Sequence, residues 1–223
     1  MNKSINTVLF DLDGTLFDTA PDIIDALNRV LRNHGREEVE LATLRSRING
    51  GSLALLGHTF NIDEHHPDFE PLKEQLLSHY ADISDYKTNF FEGIPEVLNY
   101  LDEHNIPWGI VTNRITKLAA PLIKHFGLEN RSRCLVGMDL VKNPKPHPDP
   151  LLHACELMKI KAEETVYIGD SHTDIQAARA AKMPVILAAY GYIPTHENTE
   201  AWEADHSIKS PLDIISWMEK SRA

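Results

Sequence analysis

The sequence predicts an α/β protein: a three-layer sandwich in which helices cover both faces of a parallel sheet, carrying an α-helical insert near its N-terminus. Three observations point there. Apolar, β-branched runs of strand length recur along the chain, helical patterns separate them, and one long stretch over 18–90 has helical periodicity without a strand. Strands that alternate with helices are joined by crossovers, which set neighbouring strands parallel and bury both faces. The expected organisation is one sheet domain from 1–17 and 91–223, interrupted by a helical unit over 18–90.

In chain order, "TVLF" at Thr7 to Phe10 is the first buried strand. The insert follows, with helical patterns in "PDIIDALNRVLRNHG", "ELATLRSRI", "LALLGHTF" and "DFEPLKEQLLSHYADI". Its two connections to the sheet domain fall near Phe17 to Thr19 and Asn89 to Gly93. Beyond them "IPEVLNYLDEH" reads as a helix and the sheet resumes near Pro107 with "WGIVT". The helix "ITKLAAPLIKHFG" ends on Gly127, a residue suited to the left-handed C-terminal cap. Strands "RCLVG", "TVYIGD" and "PVILAA" alternate with helices "PDPLLHACELMKI" and "HTDIQAARAAK". In "SPLD", Ser210 and then Pro211 at the first helical position announce a final helix.

Composition narrows the function. With 42% hydrophobic and 25% charged residues, the chain has the make-up of a folded globular protein. A net charge of -11 disfavours nucleic acid and anionic membrane surfaces, both of which require a basic footprint. An anionic ligand must then be held by a local positive site. The two cysteines, Cys134 and Cys155, have neither metal-ligand spacing nor a disulfide framework, which favours a reducing compartment. The N-terminus reaches Asp11 before a signal-peptide core can form, and no apolar run approaches the roughly 18 residues of a membrane span. A cytoplasmic protein without an obligate protein partner is expected, its ligand a small molecule.

Chemistry concentrates where strands end, since open parallel sheets bind ligands beyond the carboxyl ends of their strands. Asp11, Asp13, Thr112, Asp170 and Lys145 all fall at such ends. Each has an ordinary reading as well: a turn aspartate, a helix-capping Thr112 or Asn113, an exposed loop lysine rivalled by Lys142. Taken together the carboxylates of Asp11, Asp13, Asp170 and Asp174 would repel one another unless a cation joined them, and an all-oxygen ligand set suits Mg²⁺. Asp11 and Asp13, two apart on extended backbone, point to one side. One can attack while the other exchanges a proton with the leaving group. Gly14 lets the chain turn tightly there.

The segments "DLDGTLFDT", "IVTN", "KPHPDP" and "IGDSHTD" resemble, in order, spacing and strand context, the four motifs of the haloacid dehalogenase-like phosphatases. The resemblance spans nearly the whole chain and implies a Rossmann-like core with a mobile helical cap, here 18–90. It implies that Asp11 is the nucleophile forming an aspartyl-phosphate, that Asp13 is the acid and then the base, and that Thr112 and Asn113 hold the phosphoryl group while Lys145 neutralises it. Mg²⁺ would be held by Asp11, the backbone carbonyl of Asp13, and Asp170, with Asp174 supporting Lys145 or the metal. Within that family the chain looks similar to phosphoglycolate phosphatases and, through "INGGSLAL" and the tail with Tyr192, Trp202 and Asp205, to N-acetylmuramic acid 6-phosphate phosphatases.

In "RSRINGGS", Gly50 and Gly51 would let a loop of the insert reach the cleft, and Arg45 or Arg47 could meet an anionic group on the substrate. His147 is a further candidate for contact. A dehalogenase of this fold would have no use for Asp13, because a halide leaves without a proton. A phosphomutase would share the core residues and differ in the cap. A phospho-accepting signalling domain would have no cap, and its aspartate would lie on a later strand.

Overall fold

The computed structural model describes residues 5–194 and 196–222. Strands β1 (Thr7–Phe10), β4 (Trp108–Val111), β5 (Leu135–Val136), β6 (Thr165–Gly169), β7 (Val185–Ala188) and β8 (His206–Ile208) form one sheet in the order β5-β4-β1-β6-β7-β8. Every pairing in it is parallel. Five of the six strands lie in the apolar runs read from the sequence. The edge strand β8, "HSI", is too short and too polar to show a period.

Side-chain alternation explains the layering. Val8 and Phe10 join Trp108, Ile110, Val166 and Ile168 on one face, beneath helices α5 (Ile94–Glu103), α6 (Thr116–His125) and α9 (Asp213–Arg222). Leu9, Val111, Tyr167, Val185 and Leu187 point to the other face, beneath α7 (Asp149–Met158) and α8 (His172–Ala180). The final helix begins at Asp213 rather than Pro211. Ser210 Oγ accepts from the Leu212 N–H at 3.3 Å while Asp213 accepts from the Ser210 N–H at 3.1 Å, so a turn precedes the first helical turn.

The stretch between the first two sheet strands holds α1 (Ala20–Asn33), α2 (Leu41–Leu44), a 3₁₀ segment Arg45–Gly50, α3 (Gly51–Phe60) and α4 (Phe69–Ala81). Their apolar faces form a separate cluster that includes Leu27, Leu44, Leu56 and Leu72 and takes in Leu118 and Tyr192 from the sheet side. The two connections are not bare linkers. They pair as an antiparallel ribbon, β2 (Phe17–Asp18) with β3 (Asn89–Phe90), and Phe17 stacks on Phe90 with centroids 4.6 Å apart. Asp22 on α1 ties the returning strand down, accepting from the Lys87 N–H, the Thr88 N–H and the Thr88 hydroxyl at 2.9, 3.0 and 2.6 Å.

Among the described residues no helix is long and apolar enough to cross a membrane. Both cysteines are free, and burial pushes each thiol up to about 11, so neither is an activated nucleophile.

Candidate active site

Three adjacent strands deliver the central residues. β1 lies between β4 and β6, with Phe10 paired to Ile110 on one side and Ile168 on the other. One or two residues further along, the chains reach Asp11, Thr112 and Asp170 at the same sheet edge. The order of connections reverses about β1, which opens a crevice there.

The turn after β1 demands its glycine. Leu16 and Phe17 both donate backbone N–H groups to Leu12 O, and Gly14 sits at φ +78°, a conformation unfavourable for other residues. A Cβ at Gly14 would also overlap the Asp170 carboxylate, as would one at Gly191. Backbone from two segments is thus pressed against Asp170.

Lys145 rather than Lys142 is the positive centre: Lys142 is exposed, whereas Lys145 is buried. Its ammonium donates to Asp174 Oδ1 at 2.6 Å, the Tyr167 hydroxyl at 2.8 Å and Val111 O at 3.3 Å. These acceptors match its three N–H groups. Asp11 Oδ1 lies 2.9 Å from the same nitrogen, an ion pair without hydrogen-bond geometry, so that oxygen is buried with no hydrogen-bond partner.

Burial works against charge on Lys145, but Asp11 and Asp174 outweigh it and raise its pKa above the ordinary value. Burial, then Asp174, raises the Asp11 carboxyl well above the usual range despite Lys145. Burial and Asp174 likewise push Asp170 up to about 7. Oxygens from Asp11, Asp170 and Asp174 lie within 4.8 Å of one another. Fully ionised, these three groups exceed the one ammonium by two negative charges, and Asp11 keeps an unmatched oxygen. The donor set and the excess charge fit a hard divalent cation. Asp174 is the least available to it. Its Oδ1 takes Lys145 and lies 3.0 Å from the Tyr167 hydroxyl, and its Oδ2 accepts from the Ser171 N–H and hydroxyl in a capping box that opens α8.

Asp13 is held differently. Arg114 grips it with two bonds, Nη2 to Oδ1 at 2.5 Å and Nε to Oδ2 at 3.2 Å, and the Thr19 hydroxyl donates to Oδ1 at 2.5 Å. Thr112 is buried, and its Oγ1 accepts from the Arg114 N–H at 3.1 Å. The Asn113 side chain clasps the Lys145 backbone, donating to its carbonyl at 2.9 Å and accepting from its N–H at 3.0 Å. That amide fixes the lysine loop, and Asn113 also lines the cleft.

These residues open onto a cleft of about 770 Å³ between sheet edge and helical insert, lined by Asp11, Asp13, Thr112, Asn113 and Lys145. The insert lines it with Asn49, Gly50, Gly51, Phe69 and Tyr80. Neither Arg45 nor Arg47 is among the residues lining that wall. Arg45 pairs with Asp18 at 2.9 Å and lies over the Tyr192 ring, 5.0 Å from its centroid. His147 is also outside the wall, exposed, its Nδ1 3.1 Å from Asp149 at the start of α7.

Four participants were not read from the sequence. Asn49 donates to Asp170 Oδ2 at 3.0 Å, Tyr167 buttresses Lys145 and Asp174, and Arg114 lies over the Tyr80 ring at the cleft wall. Arg114 had an available signal, its place two residues beyond Thr112. Tyr167 looked like any apolar strand residue. Of the tail residues, Tyr192 donates its hydroxyl to Asp18 at 2.8 Å, accepts from the Ala20 N–H at 2.9 Å and donates its own N–H to Asp170 at 2.7 Å. Trp202 stacks on His172, and Asp205 accepts from the Val185 N–H at 2.9 Å.

Known proteins resemble this chain in sequence and in fold. The model of the haloacid dehalogenase-like hydrolase family matches residues 8–188. The chain is 34% identical over 217 residues to an N-acetylmuramic acid 6-phosphate phosphatase of Pseudomonas aeruginosa, covering 97% of this chain and 96% of that one. It is 38% identical over 211 residues to a phosphoglycolate phosphatase of Xylella fastidiosa, covering 94% and 91%. A crystal structure of a predicted phosphoglycolate phosphatase from Haemophilus somnus superposes with a TM-score of 0.84 at 23% identity, covering 96% of this chain and 97% of that one, and so shares the fold. A sheet-edge acidic cluster on this topology, together with a family match running from the first strand to β7, makes the chain a member of the haloacid dehalogenase-like hydrolases.

Proposed function

We propose that the protein is a cytoplasmic phosphomonoester hydrolase working through an aspartyl-phosphate on Asp11. The observation that carries this reading is the Asp11 carboxylate: buried, one oxygen without a hydrogen bond, 2.9 Å from the Lys145 ammonium, and open to the cleft. An oxygen so placed is a nucleophile next to a fixed positive charge, which is what transfer of a phosphoryl group requires.

In this mechanism Asp11 attacks phosphorus and the ester oxygen leaves with a proton from Asp13. Asp13 then takes a proton from the water that attacks the phosphoaspartate, and inorganic phosphate is released with Asp11 regenerated. Thr112 donates its hydroxyl to the transferring oxygens, and Lys145 neutralises them from a position fixed by Asp174, Tyr167 and Asn113. Asp11, Asp170 and the Asp13 carbonyl would hold Mg²⁺, which supplies charge neutralisation at the phosphoryl oxygens. The residues over 18–90 serve as a cap domain, joined to the core domain of 1–17 and 91–223 through the β2–β3 ribbon, and exclude bulk water while Asp11 carries phosphate.

The substrate is a small phosphate ester, phosphoglycolate in the first reading. N-acetylmuramic acid 6-phosphate is the alternative, favoured by a cleft of about 770 Å³, which is roomy for a two-carbon acid. Both are phosphate esters of organic acids. Initial rates of phosphate release with Mg²⁺ over both compounds, hexose phosphates and p-nitrophenyl phosphate test the proposal. Hydrolysis with a preference in kcat/KM is expected, and no turnover of any ester would overturn it.

A further inference from the structure

Among the described residues, three buried side-chain polar atoms have no hydrogen-bond partner: Asp11 Oδ1, Tyr80 Oη and Arg114 Nη1. All three residues line the same cleft. The first is an acceptor facing the phosphoryl site. The other two belong to donors, and an orphaned buried donor costs enough that native structures rarely keep one without a use.

Arg114 is nine-tenths buried, its side chain 9% exposed, and Tyr80 is 6% exposed. The guanidinium lies over the Tyr80 ring, 4.2 Å from its centroid. Arg114 spends Nε and Nη2 on Asp13, leaving the N–H pair of Nη1 unmatched beside the phenol. Neither group relieves its deficit by losing a proton. A guanidinium is a permanent cation, and burial pushes the phenol up to about 12. Two protonated donors, one cationic, on one cleft wall call for an anionic oxygen acceptor.

Their place specifies which part of a substrate supplies it. Arg114 grips Asp13, the group assigned to the leaving oxygen, so the pair stands on the leaving-group side of Asp11. The phosphoryl group itself is served by Lys145 and Thr112. The geometry points to a carboxylate receptor: Arg114 Nη1 and Tyr80 Oη bind a carboxylate carried by the leaving group, and so select phosphate esters of organic acids. Tyr80 rides on α4 of the insert and Arg114 on the loop after β4, so the receptor is assembled where insert and sheet edge touch. This specificity rests on the phosphatase reading above.

The test compares kcat/KM within matched pairs that differ by the acid group: phosphoglycolate against ethyl phosphate, and N-acetylmuramic acid 6-phosphate against N-acetylglucosamine 6-phosphate. A preference of at least about tenfold for the acid is expected in one pair or both, and the pair that shows it identifies the source of the carboxylate. In Tyr80→Phe that preference falls severalfold, chiefly through KM of the acid, with circular dichroism confirming the fold. Arg114→Gln lowers turnover of all esters through Asp13 and also collapses the ratio. Ratios near one in both pairs for the parent, or a ratio unchanged in Tyr80→Phe and Arg114→Gln, overturn the receptor. Turnover of p-nitrophenyl phosphate separates that outcome from failure of the phosphatase reading, which would remove the receptor along with it.

Discussion

Asp11 and Asp170 are pressed toward their neutral forms by burial and by one another's neighbours, yet the proposed chemistry needs them ionised. The conflict is one that a cation resolves, and it has two measurable consequences. Asp11→Asn keeps the shape and hydrogen-bonding reach of the side chain but has no nucleophilic carboxylate, so kcat should fall at least about a thousandfold while the circular dichroism spectrum is unchanged. Asp170→Asn removes one of the three crowded charges. Its metal-free melting temperature should exceed that of the parent. The parent should gain about 2.7 kcal/mol from Mg²⁺ at a hundred times its Kd, and the variant little or none. Calorimetry with and without chelator reads both. Asp11, Asp13, Thr112 and Asp170 were legible because they fall at or just beyond strand ends, whereas Lys145 and Asp174 were read from the motifs around them. Arg114, Tyr80 and Asn49 were not, since each becomes significant only through a partner about 30 to 120 residues away.

At the level of elements, periodicity located five sheet strands and the helices between them, because burial on one face or both leaves a repeat in the residues. It missed β2, β3 and β8, which are two or three residues long and owe their existence to pairing partners. Helix ends are set by side chains from elsewhere too. The first amide of α6, on Thr116, donates to Asp139 Oδ1 at 2.6 Å, and the Thr116 hydroxyl donates to the same oxygen at 2.9 Å. The Thr116 amide bond holds the Asp139 carboxyl below its ordinary pKa. A depressed carboxylate stabilises the fold above its unfolded pKa, and that contribution is lost as pH falls through the folded value. Asp139→Ala should therefore lie below the parent by about 0.5 kcal/mol at pH 7, the low end for a cap because the site is exposed. The gap between the two melting curves should narrow as pH falls below the unfolded carboxyl's value of about 4 and through the lower folded one.

Across the whole molecule, the insert and the sheet share more than the ribbon that joins them. Tyr192 bonds with its hydroxyl to Asp18 and Ala20 at the base of the insert and with its N–H to Asp170 at the sheet edge. Tyr192→Phe leaves a buried N–H unmatched and should lower stability by about 1–3 kcal/mol, read as a shifted urea midpoint with an unchanged slope. The sequence by itself determined the α/β class, the helical interruption after the first strand and the acidic residues at strand ends. Those features follow from local periodicity and from the chemistry of a few closely spaced side chains. Only the tertiary structure decided that Arg45 secures Asp18 while Asn49 reaches Asp170, and that Lys145 outranks Lys142. It alone left donors of Arg114 and Tyr80 unmatched on one wall. Such pairings depend on which backbone segments are brought together in space, and a one-dimensional pattern carries no distance between residues far apart along the chain.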